Sequence, residues 1–167
     1  MSSPSITTAE TITRDLRPDD WPEVEAIFRD GIATGVATFE VDPPSREDWD
    51  AAHGAIRVVA ELDGRVAGWC ALAPVSDRCC YRGVAEESVY VASWAQGRGV
   101  GRALLEEVIE RSEAAGIWTL QAGIFPENAP SIRLHLGCGF RLVGVRERLG
   151  EAGGVFRDVL LLERRAG

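Results

Sequence analysis

The chain has 167 residues, 46% hydrophobic and 26% charged, which suits a folded domain with a sizeable core and excludes a disordered chain. Its formal charge of −8 argues against a duplex-binding role, because neutralising phosphates needs a clustered basic surface. No apolar run approaches the roughly 20 residues of a membrane-spanning helix, so neither nucleic acid nor a bilayer is an expected partner.

Met1 to Glu10 is rich in Ser and Thr, with no basic n-region and no apolar h-region, and reads as a disordered lead rather than a signal peptide. Residues 11–167 then read as a single mixed α/β domain. Ile12 to Arg17 alternates like a first strand, and Pro18 to Pro22 starts a helix that carries Val24, Ile27 and Phe28 on one face. Gly31 to Asp42 reads as irregular, and Ser45 caps a short helix through Ala52. Ile56 to Leu62 and Arg65 to Ala73 are expected as strands joined by a tight Asp63-Gly64 hairpin.

Ser88 to Ala92 reads as another strand. Gly99 to Ala115 is the clearest helix: Val100, Leu104, Leu105, Val108 and Ile109 share a face and Gly116 follows as a stop. Ile117 to Ile124 is apolar enough for a buried central strand, and Asn128 to Leu136 is a short helix. Arg141 to Arg148 and Val155 to Glu163 close the chain as a hairpin around Glu151 to Gly154. Cys70, Cys79, Cys80 and Cys138 make no CxxC pair and no ligand-like grouping with His53 and His135. They are expected as reduced thiols of a cytoplasmic protein, with no metal site. His53 is expected in solvent, and the five tryptophans in core or half-buried packing.

The most informative segment is Val89-Tyr90-Val91-Ala92-Ser93-Trp94-Ala95-Gln96-Gly97-Arg98-Gly99-Val100-Gly101-Arg102. A strand enters a turn with three glycines, and the turn opens an amphipathic helix. Glycines let a backbone approach a ligand closely, and the first amides of a helix are unpartnered donors at its positive end. That combination can hold a diphosphate. A Walker loop would end in Gly-Lys-Ser/Thr, whereas this turn has Gly101-Arg102-Ala103; a dinucleotide fingerprint fails at Arg102. Gln96, Gly99 and Gly101 satisfy Gln-x-x-Gly-x-Gly in full.

That motif resembles the pyrophosphate-binding turn of GNAT acetyltransferases. The likeness continues downstream, where Asn128, Ser131, Leu134, His135, Gly139 and Phe140 follow the pattern Asn-x-x-Ala-x-x-Leu-Tyr-x-x-x-Gly-Phe, with serine for alanine and histidine for tyrosine. The resemblance implies a GNAT fold: a twisted, mostly antiparallel sheet of about seven strands, about four helices, and a splayed parallel strand pair at the cofactor site. It implies acetyl-CoA as co-substrate, held by Val89, Tyr90, Val91, Gln96, Gly97, Arg98, Gly99, Val100, Gly101, Arg102, Asn128 and Ser131.

Over nearly its whole length the chain is similar to the phosphinothricin and methionine sulfoximine N-acetyltransferases. Ala85 to Val91 resembles their Glu-x-Ser/Thr-Val-Tyr-Val strand, which assigns the general base to Glu86. Arg78-Cys79-Cys80-Tyr81 resembles an Arg-x-x-Tyr segment whose arginine holds the substrate carboxylate, and Thr38-Phe39 a segment whose phenylalanine lines the acceptor pocket. Substrate contacts are therefore expected from Phe39, Arg78 and Tyr81. His135 stands where many members place a tyrosine that protonates the departing thiolate; a structural hydrogen bond is the equal alternative. The resemblance also implies a homodimer. Two departures bear on the acceptor: the C-terminal Lys and Trp of those enzymes are missing between Gly150 and Val159, and Gly83 replaces a large aromatic.

The expected reaction is direct acetyl transfer, in a ternary complex, to the α-amino group of a small amino acid or analogue. An acetyl-cysteine route through Cys79 or Cys80 has no partner histidine in a recognisable motif. The competing readings are transfer to a protein N-terminus or lysine, which needs an open groove, and a catalytically inactive CoA-binding sensor.

Overall fold

The computed structural model describes residues 10–167; the expected lead over residues 1–10 lies, but for Glu10, outside the described residues. The elements in chain order are β1 (Thr11–Asp15), α1 (Trp21–Thr34), α2 (Arg46–Ala52), β2 (Arg57–Leu62), β3 (Arg65–Pro74), β4 (Val84–Val91), α3 (Val100–Ala114), β5 (Thr119–Ile124), α4 (Ala129–Gly137), β6 (Arg141–Ala152) and β7 (Val155–Arg165). The seven strands form one sheet in the order β1-β2-β3-β4-β5-β7-β6. Every neighbouring pair is antiparallel except β4 and β5, which run parallel. This is the mixed α/β class expected from the sequence, with seven strands and four α-helices among the described residues. None of the helices among the described residues is long and apolar enough to cross a membrane.

Local sequence explains most element ends. The β2–β3 turn is Asp63-Gly64, both at positive φ (54° and 76°), the twist that suits a two-residue hairpin. Ser45 accepts the Asp48 amide at 3.1 Å and starts α2. The 3₁₀ turn Pro18–Asp20 leads into α1, and Arg14 on β1 grips the Asp20 carboxylate with both terminal nitrogens (2.8 and 2.9 Å). Those hydrogen bonds hold the Asp20 carboxyl below the usual carboxylate range.

Three element boundaries differ from the sequence reading by several residues, and one strand carries a slip. Helix α1 continues through Gly31 to Thr34 and stops at Gly35, whose φ of 70° closes it; the Tyr90 ring lies against Gly31, where a Cβ would sit 2.7 Å from it, so close packing requires a glycine that local propensity disfavours. Strand β4 begins at Val84, four residues earlier than expected, since its first three residues pair with β5. Strand β6 runs to Ala152, so Glu151 and Ala152 pair across the hairpin and only Gly153-Gly154 turns. Between Arg146 and Gly150 the register slips: three β6 residues oppose Asp158 alone, and its carboxylate accepts the Arg148 amide at 2.8 Å.

Two single-residue readings also change. His53 is half-buried against Trp49 (ring centroids 4.2 Å) with Nδ1 2.7 Å from the Trp49 carbonyl, and burial pulls its pKa down. Trp49 and Trp69 are core residues, but Trp94 and Trp118 are 37% and 41% exposed, each beneath an arginine (Arg65 and Arg82).

The core lies between the sheet and its helices, and α3 is its main cover: Val100, Leu104, Leu105 and Val108 are fully buried against β2 and β3. The contact works because β3 offers Gly68. A Cβ there would stand 2.8 Å from the Tyr90 carbonyl and 2.9 Å from Leu104 Cδ1. Gly68→Ala is therefore expected to cost about 1–3 kcal/mol by overpacking. A lower urea midpoint at unchanged m-value checks it, and an unchanged midpoint overturns it.

Candidate active site

The parallel contact between β4 and β5 is short. Only Val84, Ala85 and Glu86 pair with Thr119, Leu120 and Gln121; past Glu86 the two strands diverge. Ala92 donates its amide to the Ala67 carbonyl (2.8 Å) beside the Gly68–Val91 pair. In an antiparallel ladder that pattern turns the Val89 and Val91 amides away from β3, toward the side β5 has left. Gln96 Nε2 donates to the Val91 carbonyl at 3.0 Å on that same side. The splay thus exposes backbone donors in the middle of the sheet.

Three adjoining cavities fill the opening. A cleft of about 550 Å³ runs along Val89, Tyr90 and Val91 of β4, past Gln96, Gly97, Gly99, Val100, Gly101 and Arg102, and over Asn128 and Ser131 of the β5–α4 junction and α4. Gly97 and Gly99 sit at φ 73° and 81°, a backbone that side chains resist, and nothing lies within 4 Å of where their Cβ atoms would be. The turn is an open cradle capped by the unpartnered amides at the start of α3. Those features fit an elongated ligand with a diphosphate.

A second cavity, about 310 Å³, opens on the other side of the splay, lined by Phe39, Glu86, Ser88, Tyr90, Phe125, Arg146 and Leu149 among others. A narrow space of about 100 Å³ joins the two, touching Glu86, Val89, Asn128, Ser131 and His135.

The structure brings together most of the residues expected from the sequence. Glu86 is exposed, hydrogen-bonded to Gln121 Nε2 at 3.1 Å, and borders both smaller cavities. Phe39 packs edge-on against Phe125 (4.8 Å) in the pocket wall. The Tyr90 ring stacks on Trp69 and Phe28, and its burial pushes the phenol up to about 12. Gln96 staples the turn through its bond to Val91, and Asn128 caps α4 by accepting the Ser131 amide (3.3 Å) while donating to the Val36 carbonyl.

Three expected contacts are not in this assembly of cavities. Arg78 and Tyr81 lie at the start and end of an exposed 3₁₀ turn, Cys79–Tyr81, with the guanidinium 5.5 Å from the Tyr81 ring; neither lines any of these three cavities. The Arg98 side chain turns to Asp63 at 3.5 Å and leaves only its backbone to the glycine turn. Cys79 and Cys80 sit on that same 3₁₀ turn, exposed, and Cys70 is fully buried. Gly83, which stands for a large aromatic in the resembled enzymes, has the Trp118 ring in the vacated space, 2.0 Å from a would-be Cβ.

His135 sits deep in the protein, 1% exposed, with Nε2 2.5 Å from Glu87 Oε1 and Nδ1 2.7 Å from the Ser131 carbonyl. Both ring nitrogens are therefore committed to acceptors. Burial alone would lower its pKa, but the hydrogen bond and charge of Glu87, with the Ser131 carbonyl, outweigh it and raise the value. Glu87 is the partner that sequence reasoning missed. Alternation along β4 was the available signal: Glu86 faces the cavities, so its neighbour must face the core, where a carboxylate needs a cation.

The comparisons with known proteins agree with this geometry. Residues 15–140 match the model of the acetyltransferase (GNAT) family. The chain is 36% identical over 158 residues to the phosphinothricin N-acetyltransferase of Alcaligenes faecalis, covering 90% of this chain and 80% of that one. It is 31% identical to an L-methionine sulfoximine/L-methionine sulfone acetyltransferase of Pseudomonas paraeruginosa, covering 90% and 91%. The crystal structure of a GNAT superfamily phosphinothricin acetyltransferase from Sinorhizobium meliloti, in complex with acetyl-CoA, superimposes with a TM-score of 0.85 at 32% identity, over 94% of this chain and 89% of that one. With its glycine cradle, its splayed strand pair and these relatives, the chain belongs to the GNAT family of acetyltransferases.

Proposed function

We propose that this acetyltransferase transfers the acetyl group of acetyl-CoA to the α-amino group of a small amino acid or analogue, of the phosphinothricin or methionine sulfoximine kind. The observation that carries the reading is the joining of the long cleft to the smaller pocket through a narrow neck bordered by Glu86. A pocket of about 310 Å³ has room for a small amine beside Glu86.

Acetyl-CoA, when bound, supplies an acetyl thioester whose carbonyl carbon is the electrophile. The amides at the start of α3 and the Gly97–Gly101 turn hold the diphosphate, and Val89 and Val91 present strand amides along the cleft. Glu86 removes a proton from the acceptor ammonium, directly or through water, so that the nitrogen gains a lone pair for attack. The free amine adds to the carbonyl carbon while the carbonyl oxygen gains charge on the side of the Val89 and Val91 donors; the C–S bond then breaks, CoA leaves as its thiolate, and that thiolate takes up the second proton the nitrogen sheds as the amide forms. Direct transfer in a ternary complex fits the cysteines, since Cys79 and Cys80 line none of the three cavities.

His135 we assign to structure rather than to the leaving thiolate. An imidazolium pinned between Glu87 and the Ser131 carbonyl fixes α4, with Asn128 and Ser131, against β4. It has no free nitrogen to offer the cleft.

We also propose a cytoplasmic homodimer. The β6–β7 hairpin, at the edge of the sheet, exposes Leu142, Val143, Val145, Leu149, Val155 and Phe156, every one of them 43% exposed or more. Apolar side chains gathered on a sheet edge are the ordinary material of an interface between copies.

Glu86→Gln is expected to lower kcat by about 10²–10⁴-fold while acetyl-CoA binding, measured by calorimetry, stays within twofold; equal activity in the variant would remove the general base. For the dyad, the sign follows from the raised His135 value: its stabilisation is complete below the unfolded pKa of 6.5 and is lost as pH rises through the folded one. Urea midpoints should therefore fall toward alkaline pH. In Glu87→Gln, which should cost about 3–5 kcal/mol, burial dominates and the loss moves to acid pH. A wild-type midpoint that is flat from pH 5 to 9 would refute the pinned imidazolium. Sedimentation tests the dimer: Val145→Asp should run as a monomer where the wild type runs as a dimer.

A further inference from the structure

Residues 35–45, between α1 and α2, belong to no helix or strand, yet they help to wall all three cavities. Val36 and Ala37 border the long cleft and the narrow neck, and Ala37, Thr38 and Phe39 border the smaller pocket. An irregular stretch has no ladder of its own to fix it, so groups from other elements must satisfy its backbone and hold it. Asn128, at the cap of α4, donates to the Val36 carbonyl at 3.3 Å. Phe39 lies edge-on to Phe125 and against Gly150 of β6, where a Cβ would stand 2.6 Å from its ring.

Arg157 on β7 supplies a further tie. It pairs with Gly150 across the hairpin, and its side chain is only 21% exposed. Nη1 donates to the Gly35 carbonyl at 2.7 Å, and Nη2 is 3.4 Å from Glu127 Oε2. The centre of the guanidinium lies 3.7 Å over the Phe125 ring. One planar group therefore meets the start of the irregular stretch, the ring that backs Phe39, and the residue before Asn128. A guanidinium can do this because its face stacks while its edge donates. The bond to Gly35 is the informative one. Gly35, at φ 70°, is where the chain leaves α1, and its carbonyl shares a peptide plane with the Val36 amide. Holding that carbonyl sets the direction in which Val36 to Phe39 run.

We infer that Arg157 is a positioning residue for the transfer, which through Gly35 holds Val36 to Phe39 as the common wall of the long cleft and the smaller pocket. The inference rests on the proposed reading of those cavities as the sites of acetyl-CoA and of a small amine. Arg157 itself lines none of the three, so its effect passes through the segment it holds. Binding of both substrates then depends on Arg157, whereas proton removal at Glu86 does not.

The experiment follows thiol release from acetyl-CoA with L-methionine sulfone as the first acceptor, and acetyl-CoA binding by calorimetry. Arg157→Gln should raise the acceptor KM about tenfold or more, the size of a lost charge-assisted hydrogen bond. Its kcat should stay within about threefold, the pattern of lost binding rather than lost chemistry. Acetyl-CoA affinity should fall by about threefold, less than the acceptor's because Asn128 still holds Val36. Arg157→Lys keeps a donor but cannot lie flat on Phe125, and should recover part of both losses. Arg148→Gln, on the same hairpin and with its guanidinium over Phe156, should change neither. Unchanged acetyl-CoA affinity in Arg157→Gln overturns the inference, and so does a fall in kcat with the acceptor KM fixed. A wild type that turns over no amine sinks the small-amine reading alone, and the calorimetry then decides on Arg157.

Discussion

The site depends on one constraint: β4 is shared between two strands at its start and belongs to β3 alone at its end. Three pairs with β5 fix Glu86 at the branch point. Beyond it, the amides that a continuous sheet would consume are released into the middle of the fold. A backbone donor buried without a partner is costly, so the opening is stable only if something else maintains it. Gly68 lets α3 press close on β3 behind the opening, and Gln96 takes up the Val91 carbonyl in front.

The far side of the opening is held by buried polarity. Glu87, 5% exposed, reaches His135 on α4 at the base of the narrow space between the two larger cavities. The pair spans 48 residues of sequence and joins the strand that lines the cleft to the helix that closes it. Asn128 adds a second tie, from the cap of α4 to the Val36 carbonyl. A purely apolar contact would bury as much surface but would not fix the rotation of α4 so narrowly; directional bonds to both ring nitrogens do.

The two halves of the site are made of different material. The long cleft, proposed above for acetyl-CoA, is mostly backbone: the glycine turn, the strand amides and the start of α3. Such a surface depends little on which side chains surround it. The smaller pocket, proposed above for the acceptor, is mostly side chains, from Phe39, Phe125 and the β6–β7 hairpin, and is shaped by a slip in register. A few substitutions there alter what enters, and this chain departs from the resembled enzymes in that same segment.

Sequence by itself determined what short-range physics controls. The Asp63-Gly64 turn, the Ser45 cap, the amphipathic face of α3 and the glycine turn before it are local patterns, and each stands in the structure as read. The mixed α/β class followed from the order of the elements, whereas Glu86 and Phe39 were singled out only by the family resemblance; the structure sets both around one opening with the glycine turn. Only tertiary structure decided the rest. It set a ring from β4 against Gly31 of α1, where close packing requires a glycine. It paired Glu87 with His135, and it left Arg78 stacked on Tyr81 at the surface while Arg146 entered the pocket wall. Those outcomes turn on which residues distant in the chain share a volume, and on a slip that reverses the facing of a strand, and neither is written in any window of neighbouring residues.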